Sequence, residues 1–271
     1  MMTVGPFRLD AVELGEFRLD GGAMFGVVPK VLWEKQSPAD EKNRIRMNVR
    51  SLLIRGLGRT ILVDSGLGTQ WTEKQTAMFA IDHSRFDPIR SLAPLGVAPQ
   101  DITDVILSHL HFDHVGGALI FQNAKYYVER SNLSHAHAPT EKDRASFLEE
   151  KIEPLLRSGR LVILDGNQEI VPGVSTYVTH GHTPGQNLVK VTDNKTTVLA
   201  CGDTIPMMAH VSPAWVMAYD LFPMTTIEEK KKILESAVAN DWVLFLVHDP
   251  VQAAVKVVNE GGKFLPKPFV F

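Results

Sequence analysis

The sequence is almost free of cysteine, since Cys201 is the only one among 271 residues. A disulfide within the chain is therefore excluded, and so is a zinc site built from two or four thiolates. Any metal ion bound by this chain must be held by nitrogen and oxygen atoms. Cys201 itself closes an apolar stretch and is interpreted as a buried strand residue.

The sequence also lacks a strong charge of either sign and a long hydrophobic run. A formal net charge of −3 and a pI near 6.4 argue against nucleic acid or an anionic membrane as a partner. No stretch reaches the length of a membrane span. Residues 1–8 have neither the basic start nor the apolar core of a secretory signal. We therefore expect a cytoplasmic protein that binds neither nucleic acid nor a membrane.

The composition that is present, 44% hydrophobic and 22% charged residues, is that of an ordinary globular protein. We expect one domain over residues 1–271. Residues 1–45 are predicted to form strands joined by a turn, with Gly21 and Gly22 following them. A loop with Met24 and Phe25 at its apolar tip comes next, and it either packs in the core or forms a wall of a ligand pocket.

A dense polar cluster, made of His109, His111, Asp113 and His114, directly follows the apolar segment 104–107. This segment predicts a buried strand. His109 and His111 are two positions apart, so both can point to one cation from an extended backbone. Asp113 and His114 lie further round the turn and can reach a second cation. Chance clustering or loop capping is the alternative, but it does not explain so many polar side chains beside a core strand.

Four further candidates also follow apolar strands: Asp64, His182, Asp203 and His248. His182 stands in a turn fixed by glycine and proline, which suits a rigid metal ligand, and it is preferred to His180 because only His182 is followed by Thr-Pro-Gly. Asp64 has two open interpretations, an Asx turn or support for the metal ligands. Strand ends at one edge of an α/β sheet form its binding crevice, so we expect these side chains to converge.

The order of these elements resembles that of the metallo-β-lactamase-fold hydrolases: H-x-H-x-D-H at 109–114, G-H-T-P-G at 181–185, G-D-T at 202–204 and a strand followed by His248. The resemblance covers most of the chain and implies an α/β fold, a four-layer αβ/βα sandwich of two mixed sheets flanked by helices. It also implies two Zn²⁺ ions at one edge, with iron, manganese or cobalt as alternatives, and places Asp64 behind the histidine loop. The resemblance assigns seven ligands in two groups that share one bridging carboxylate: His109, His111 and His182; Asp113, His114 and His248; and Asp203 between them.

Within this family the sequence is most similar to the N-acyl homoserine lactonases and the methyl parathion hydrolases. The likeness rests on residues 108–114, on an Asp rather than a Cys at position 203, and on the apolar N-terminal loop near the active site. The lactonases carry a Tyr three residues after the bridging Asp, and this chain has Pro206 there. Tyr219 is the candidate substitute, and packing is the alternative role for its ring.

The resemblance implies a hydrolase in which a metal-bridging hydroxide cleaves an ester or lactone bond of a small, fairly apolar substrate. Asp113 is the candidate for orienting the nucleophile or passing on its proton. The candidate pocket residues are apolar side chains near the cluster together with residues of the loop after Asp203: Met24, Phe25, Phe112, His210, Trp215 and Asp220.

Other functions are kept open. Phosphotriester or β-lactam hydrolysis would use the same site. A non-haem iron oxygenase or reductase of the same fold is an alternative of another class, although the reductases have Glu where His111 stands. A scaffold without catalysis is the third. The expected partner is a small molecule, and association into a homodimer through the apolar N-terminal loop is left open.

Overall fold

Two seven-stranded β-sheets form the centre of the computed structural model, which describes residues 1–82, 84, 87–193 and 195–271. The strands of the first sheet lie side by side in chain order: β1 Met2–Val4, β2 Phe7–Asp20, β3 Arg44–Gly56, β4 Arg59–Val63, β5 Asp104–Ile106, β6 Lys125–Glu129 and β7 Leu161–Leu164. Those of the second sheet follow the same rule: β8 Glu169–Val171, β9 Val174–Thr179, β10 Gln186–Thr192, β11 Thr197–Ala200, β12 Val243–Phe245, β13 Ala254–Glu260 and β14 Lys263–Phe269. Both sheets are mixed, because β4–β7 and the pair β11–β12 are parallel while the other pairs are antiparallel.

Helices flank the sheets, and most of them are short. Their bounds are α1 Gly21–Phe25, α2 Lys30–Trp33, α3 Glu73–Phe79, α4 Pro88–Leu92, α5 Phe112–Val115, α6 Arg130–His137, α7 Glu149–Arg157 and α8 Pro223–Ala239. The α8 helix begins with Pro223 in its first turn, where proline is well tolerated because the missing N–H would have no partner within the helix. None of the helices in the described ranges is long and apolar enough to cross a membrane.

The two sheets pack face to face over one apolar layer to which both contribute. Leu52, Ile54 and Ile61 of the first sheet share this cluster with Val189 and Val198 of the second, and all five are fully buried. Two further apolar clusters lie on the outer faces of the sheets, under the helices. The predicted α/β sandwich of two mixed sheets flanked by helices is confirmed. The expectation of one domain over residues 1–271 stays a prediction, which this shared layer supports.

The N-terminal region differs from its prediction. Residues 7–20 form one strand with a bulge between Glu13 and Gly15, rather than strands joined by a turn. Gly21 does not lie in a turn either, because it begins α1, which Asp20 caps through the backbone N–H of Ala23 at 2.8 Å. Since α1 includes Met24, the predicted apolar loop is a short helix there. A Cβ on Gly21 would stand 2.4 Å from the Trp33 ring, so close packing explains this glycine.

Candidate metal centre

The histidine loop leaves the end of β5 and leads into α5, whose N-cap is His111. His109 and His111 are both buried, and Nε2 of the first lies 2.9 Å from Nδ1 of the second. The loop stays close to residues 64–68: a Cβ on Gly116 would stand 2.2 Å from the Leu67 carbonyl oxygen. Position 116 therefore needs glycine because the two loops pack closely there, and not only because the chain turns.

His182 completes the first ligand group. It follows β9 in the loop before β10, and its Nε2 lies 3.3 Å from Nδ1 of His111. His109, His111, His182 and Asp203 each turn one donor atom to a common point, and these atoms all lie within 4.8 Å of one another.

The second ligand group consists of Asp113, His114 and His248, which are all buried. The Asp113 carboxylate lies 3.3 Å from Nε2 of His248 and 3.5 Å from Nε2 of His114. These two ring nitrogens are themselves 3.3 Å apart. His248 comes from the far sheet, just after β12, so the fold brings the two sheets together at this point.

Asp203 stands between the two groups and turns one oxygen to each. Oδ2 lies 3.3 Å from Nε2 of His182 and 3.9 Å from Nε2 of His109. Oδ1 lies 3.1 Å from Nε2 of His248 and 3.4 Å from Nε2 of His114. The structure therefore sorts the predicted ligands into two groups that share Asp203, as the resemblance implies.

The arrangement fits two cations better than a hydrogen-bonded network. Ring nitrogens face one another in pairs, and a proton can lie on only one nitrogen of each pair. Oδ1 of Asp203 is buried without a hydrogen bond, although Nε2 of His248 lies only 3.1 Å away. Imidazole and carboxylate donors without thiolate are a set that zinc accepts.

Burial and local charge act differently on the histidines. Burial, together with neighbouring imidazoles, lowers the pKa of His109 well below its usual value and that of His111 to about 3. Burial also acts to lower the pKa of His114 and His248, but nearby carboxylates outweigh it. As a result the pKa of His114 is raised well above its ordinary value, and that of His248 rises to about 9. The same attraction, from His114 and His248, outweighs burial at Asp203 and holds the pKa of this carboxyl well below its usual range.

Three histidines are oriented through the ring nitrogen that faces away from the centre. His114 Nδ1 lies 2.9 Å from Asp64, His182 Nδ1 lies 2.9 Å from Asp220, and His248 Nδ1 donates to the Asn48 carbonyl at 2.8 Å. Such contacts fix the tautomer and the direction of the ring.

Asp64 also fixes the histidine loop itself. Its carboxylate accepts hydrogen bonds from the backbone N–H and the hydroxyl of Ser108, at 2.6 and 2.8 Å. Asp64 has a left-handed backbone conformation, with φ of 63°, which Asp tolerates better than most residues. The geometry therefore places Asp64 behind the loop, in agreement with the second of the two interpretations that the sequence left open.

A cavity of about 220 Å³ opens beside the two groups and includes His111, Asp113, His182, Asp203 and His248 in its wall. The rest of the wall is mostly apolar: Leu19, Met24, Met47, Met78, Phe79, Phe112, Ala145, Ser146, Met217 and Tyr219. Of the predicted pocket residues, this set contains Met24 and Phe112, and it also contains Tyr219. The other methionines and Phe79 were missed, because no motif marks an apolar side chain as part of a pocket wall.

Four predicted pocket residues do not line this cavity. Phe25 is fully buried and stacks between the rings of Trp33 at 5.2 Å and His210 at 4.9 Å, with Trp215 edge-on at 5.7 Å. His210 Nε2 donates to the Met24 carbonyl at 2.8 Å, so this aromatic stack supports the cavity wall from behind. The fourth is Asp220, whose buried carboxylate points instead to His182.

A family profile described as the metallo-beta-lactamase superfamily matches residues 44–248. The chain belongs to the metallo-β-lactamase superfamily. The matched range begins at the start of β3 and ends at His248, so it contains all seven candidate ligands.

Named relatives and solved structures agree with this membership. An N-acyl homoserine lactonase of Bacillus cereus is 38% identical over 109 residues, which are 40% of this chain and 40% of that enzyme. The N-acyl homoserine lactonase AiiB of Agrobacterium fabrum is 28% identical over 193 residues, 66% of this chain and 69% of AiiB. The chain thus spans only 40% of the length of the Bacillus lactonase that it matches.

Two of the solved structures match over the whole chain. A Staphylococcus aureus protein described as a "probable metal-dependent hydrolase" superposes with a TM-score of 0.90 and 30% identity, over 100% of both chains. AidC, described as a dizinc quorum-quenching lactonase, superposes with a TM-score of 0.82 over 100% of this chain and 97% of its own, and at 20% identity it shows the shared fold alone.

Proposed function

We propose that this superfamily member is a metal-dependent hydrolase that cleaves an ester or lactone bond in a small, uncharged and fairly apolar substrate. The observation that carries the proposal is the position of Asp203. Its two oxygens are divided between two buried ligand groups, and the centre so formed opens into an apolar cavity. The lactonase names of several relatives support the choice of bond.

Each ligand group would hold one ion. His109, His111 and His182 would bind the first ion, Asp113, His114 and His248 the second, and Asp203 both. Two bound zinc ions would lower the pKa of a water molecule, so that it attacks at neutral pH, and would polarise the carbonyl of the substrate. The relative AidC is described as dizinc, which supports zinc as the metal.

Asp113 is proposed to transfer the proton of the attacking water to the leaving group. It belongs to the second group and also lines the cavity that would hold the substrate. Burial raises the pKa of Asp113, but His114 and His248 outweigh it, and the net shift is downward. An ionised carboxylate in this position can orient the attacking water, accept its proton and return it to the leaving alkoxide.

Tyr219 is proposed to bind the carbonyl oxygen of the substrate. It lines the cavity beside the two ligand groups, so its hydroxyl is available to a bound substrate. Burial, with Asp20 and Asp113 adding to it, raises the pKa of Tyr219 to about 12, so the phenol keeps its proton at neutral pH and can donate it in a hydrogen bond. Tyr219 would take the place of the lactonase tyrosine, which is Pro206 here.

The apolar wall sets the substrate class. Methionine side chains are flexible and adapt to groups of different shape, and four of them line this cavity. A neutral acyl or alkyl group beside the scissile bond would therefore be accepted in several lengths. Location in the cytoplasm and association into a homodimer stay predictions.

A substrate panel on zinc-loaded protein tests the proposal. It contains N-acyl homoserine lactones, simple γ-lactones, aryl esters, a phosphotriester and a β-lactam. We expect the highest kcat/KM for a lactone or an ester, and an activity that disappears in Asp203→Ala. Asp241→Asn serves as the control, since the side chain of Asp241 is 78% exposed. Preference for the phosphotriester or the β-lactam would contradict the substrate class, and a coloured iron protein without hydrolysis would favour the redox alternative.

A further inference from the structure

Two segments hold the loop that carries His182: residues 220–229 contact its first half, and Asn132 of α6 contacts Thr183 and Pro184 in its second half. The backbone N–H of Leu221 donates to the His182 carbonyl at 3.0 Å, and that of Phe222 donates to the Gly181 carbonyl at 2.9 Å. Asp220 holds the His182 ring at 2.9 Å. Residues 220–222 therefore hold both the backbone and the ring of this ligand.

Glu229, in the second turn of α8, makes two further contacts with this loop. One carboxylate oxygen accepts the backbone N–H of His180 at 2.7 Å, and the other accepts that of Gly181 at 3.0 Å. The two oxygens therefore bind two successive peptide groups immediately before His182. A carboxylate is well suited to this, because both of its oxygens accept and hydrogen bonds to a charged acceptor are stronger than neutral ones.

The fit between α8 and this loop is close. A Cβ on Gly181 would stand 2.4 Å from both the backbone nitrogen and the hydroxyl of Thr226, and Thr226 is itself buried. The neighbouring Glu228 differs from Glu229: its side chain is 59% exposed and pairs with Lys231 at 2.9 Å on the surface of α8. The helix therefore carries two adjacent glutamates, of which one contacts the His182 loop and the other does not.

We propose that Glu229 is a positioning residue for the metal ligand His182. By holding the two peptide groups before this residue, it fixes where the Nε2 atom stands relative to His111 and Asp203. The inference rests on the proposed metal centre and goes beyond it. Glu229 does not contact the ligand atoms, yet it would control how tightly one of the two ions is bound. The second group, Asp113, His114 and His248, lies outside this control.

The test uses Glu229→Gln and the matched control Glu228→Gln. Glutamine keeps one accepting oxygen and turns an NH₂ group, a donor, toward the other backbone N–H. In metal-free protein we expect hydrogen exchange of a peptide spanning 178–186 to become about tenfold faster in Glu229→Gln and to stay unchanged in Glu228→Gln. In zinc titrations against a chelator, one of the two zinc equivalents should bind about tenfold more weakly in Glu229→Gln, as for other residues that hold a ligand from behind.

Two outcomes would overturn the inference: unchanged exchange in Glu229→Gln, or equal weakening of both zinc equivalents, which would indicate a general structural effect. Failure of the proposed function gives a different result, because wild-type protein would then bind no zinc. Hydrogen exchange in Glu229→Gln and Glu228→Gln would still show whether Glu229 holds the loop. Should Glu229→Gln fail to fold, Glu229→Asp is measured by the same criteria, because it keeps both oxygens on a side chain one methylene shorter.

Discussion

The two ligand groups differ in charge and in the way they are held. In the first, burial leaves His109 and His111 with lowered pKa values, so their nitrogens are neutral before an ion arrives. In the second, nearby carboxylates raise the pKa values of His114 and His248, so an ion must displace protons there. The two proposed metal sites are thus expected to bind their ions with different pH dependence.

The supports of the two groups differ as well. His182 is held by the side chain of Asp220, which a mutation can remove. His248 is held by the backbone carbonyl of Asn48 in the other sheet, which a mutation leaves in place. The position of His182 therefore depends on an individual side chain, while that of His248 depends on how the two sheets are packed.

The largest effect is expected from Asp203→Ala, which removes the carboxylate common to both groups. Neither group should then bind its ion, so the difference in binding between them should disappear. Both ions and all hydrolysis should be lost, because each group also loses a carboxylate oxygen within 3.3 Å of a ring nitrogen. Metal analysis of the purified protein, together with kcat/KM, measures this. Retention of two tightly bound ions would show that Asp203 is not shared.

Asp64→Ala should affect the second group more than the first, because Asp64 contacts His114 directly and reaches His109 only through Ser108. It removes the partner of His114 and both bonds to Ser108, so we expect one zinc equivalent to bind about 10- to 100-fold more weakly. Asp64→Asn should be milder, because Asn keeps an acceptor and tolerates positive φ. Chelator competition on both variants gives the affinities. Equal weakening of the two equivalents would contradict this assignment.

The pH dependence of zinc binding should separate the two groups without any mutation. A histidine with a raised pKa holds its proton at neutral pH, so zinc affinity at the second group should rise as pH increases toward about 9, the pKa of His248. The first group should respond less over this range, since the pKa of His111 is about 3. Titrations at several pH values measure both equivalents, and parallel pH profiles would contradict the difference.

The smallest effect is expected from Met78→Ala, which touches neither group. Met78 lines the cavity and is 54% exposed, so its loss should raise KM for substrates with an apolar chain by less than about tenfold, with unchanged metal content. Met224→Ala is the control, because Met224 is 69% exposed and does not line the cavity. A change in zinc content in Met78→Ala would show that the wall and the metal centre are coupled at this point.

Much of the metal centre could be predicted from the sequence because its signals are local. The spacing of His109 and His111 after a strand, and the Gly-Pro turn around His182, indicate ligands before any fold is known. The fold of two mixed sheets was implied by the family resemblance that these motifs carry. Asp203 and His248 were found in the same way, since each follows a strongly apolar strand.

The pocket could not be predicted equally well, because its wall depends on packing between distant segments. Phe25 and Trp215 are aromatic, as residues of apolar pockets often are, yet Phe25 stacks on His210 in the core and Trp215 packs edge-on against Phe25. Asp220 was placed in the pocket because it lies in the right loop, and only the fold shows that His182 is its partner. In the same way, the bulge near Gly15 keeps β2 continuous where the sequence favoured a turn.

The two oxygens of Asp220 have a practical consequence for anyone who wishes to alter this protein. One oxygen holds the His182 ring, and the other accepts the backbone N–H of Met217 at 3.1 Å, in the stretch that also lines the cavity. Libraries that randomise residues 217–219 to change substrate preference would therefore change metal retention at the same time. The part of the wall formed by Met78, Ala145 and Ser146 has no such link among the described contacts and is the better starting point for changing selectivity alone.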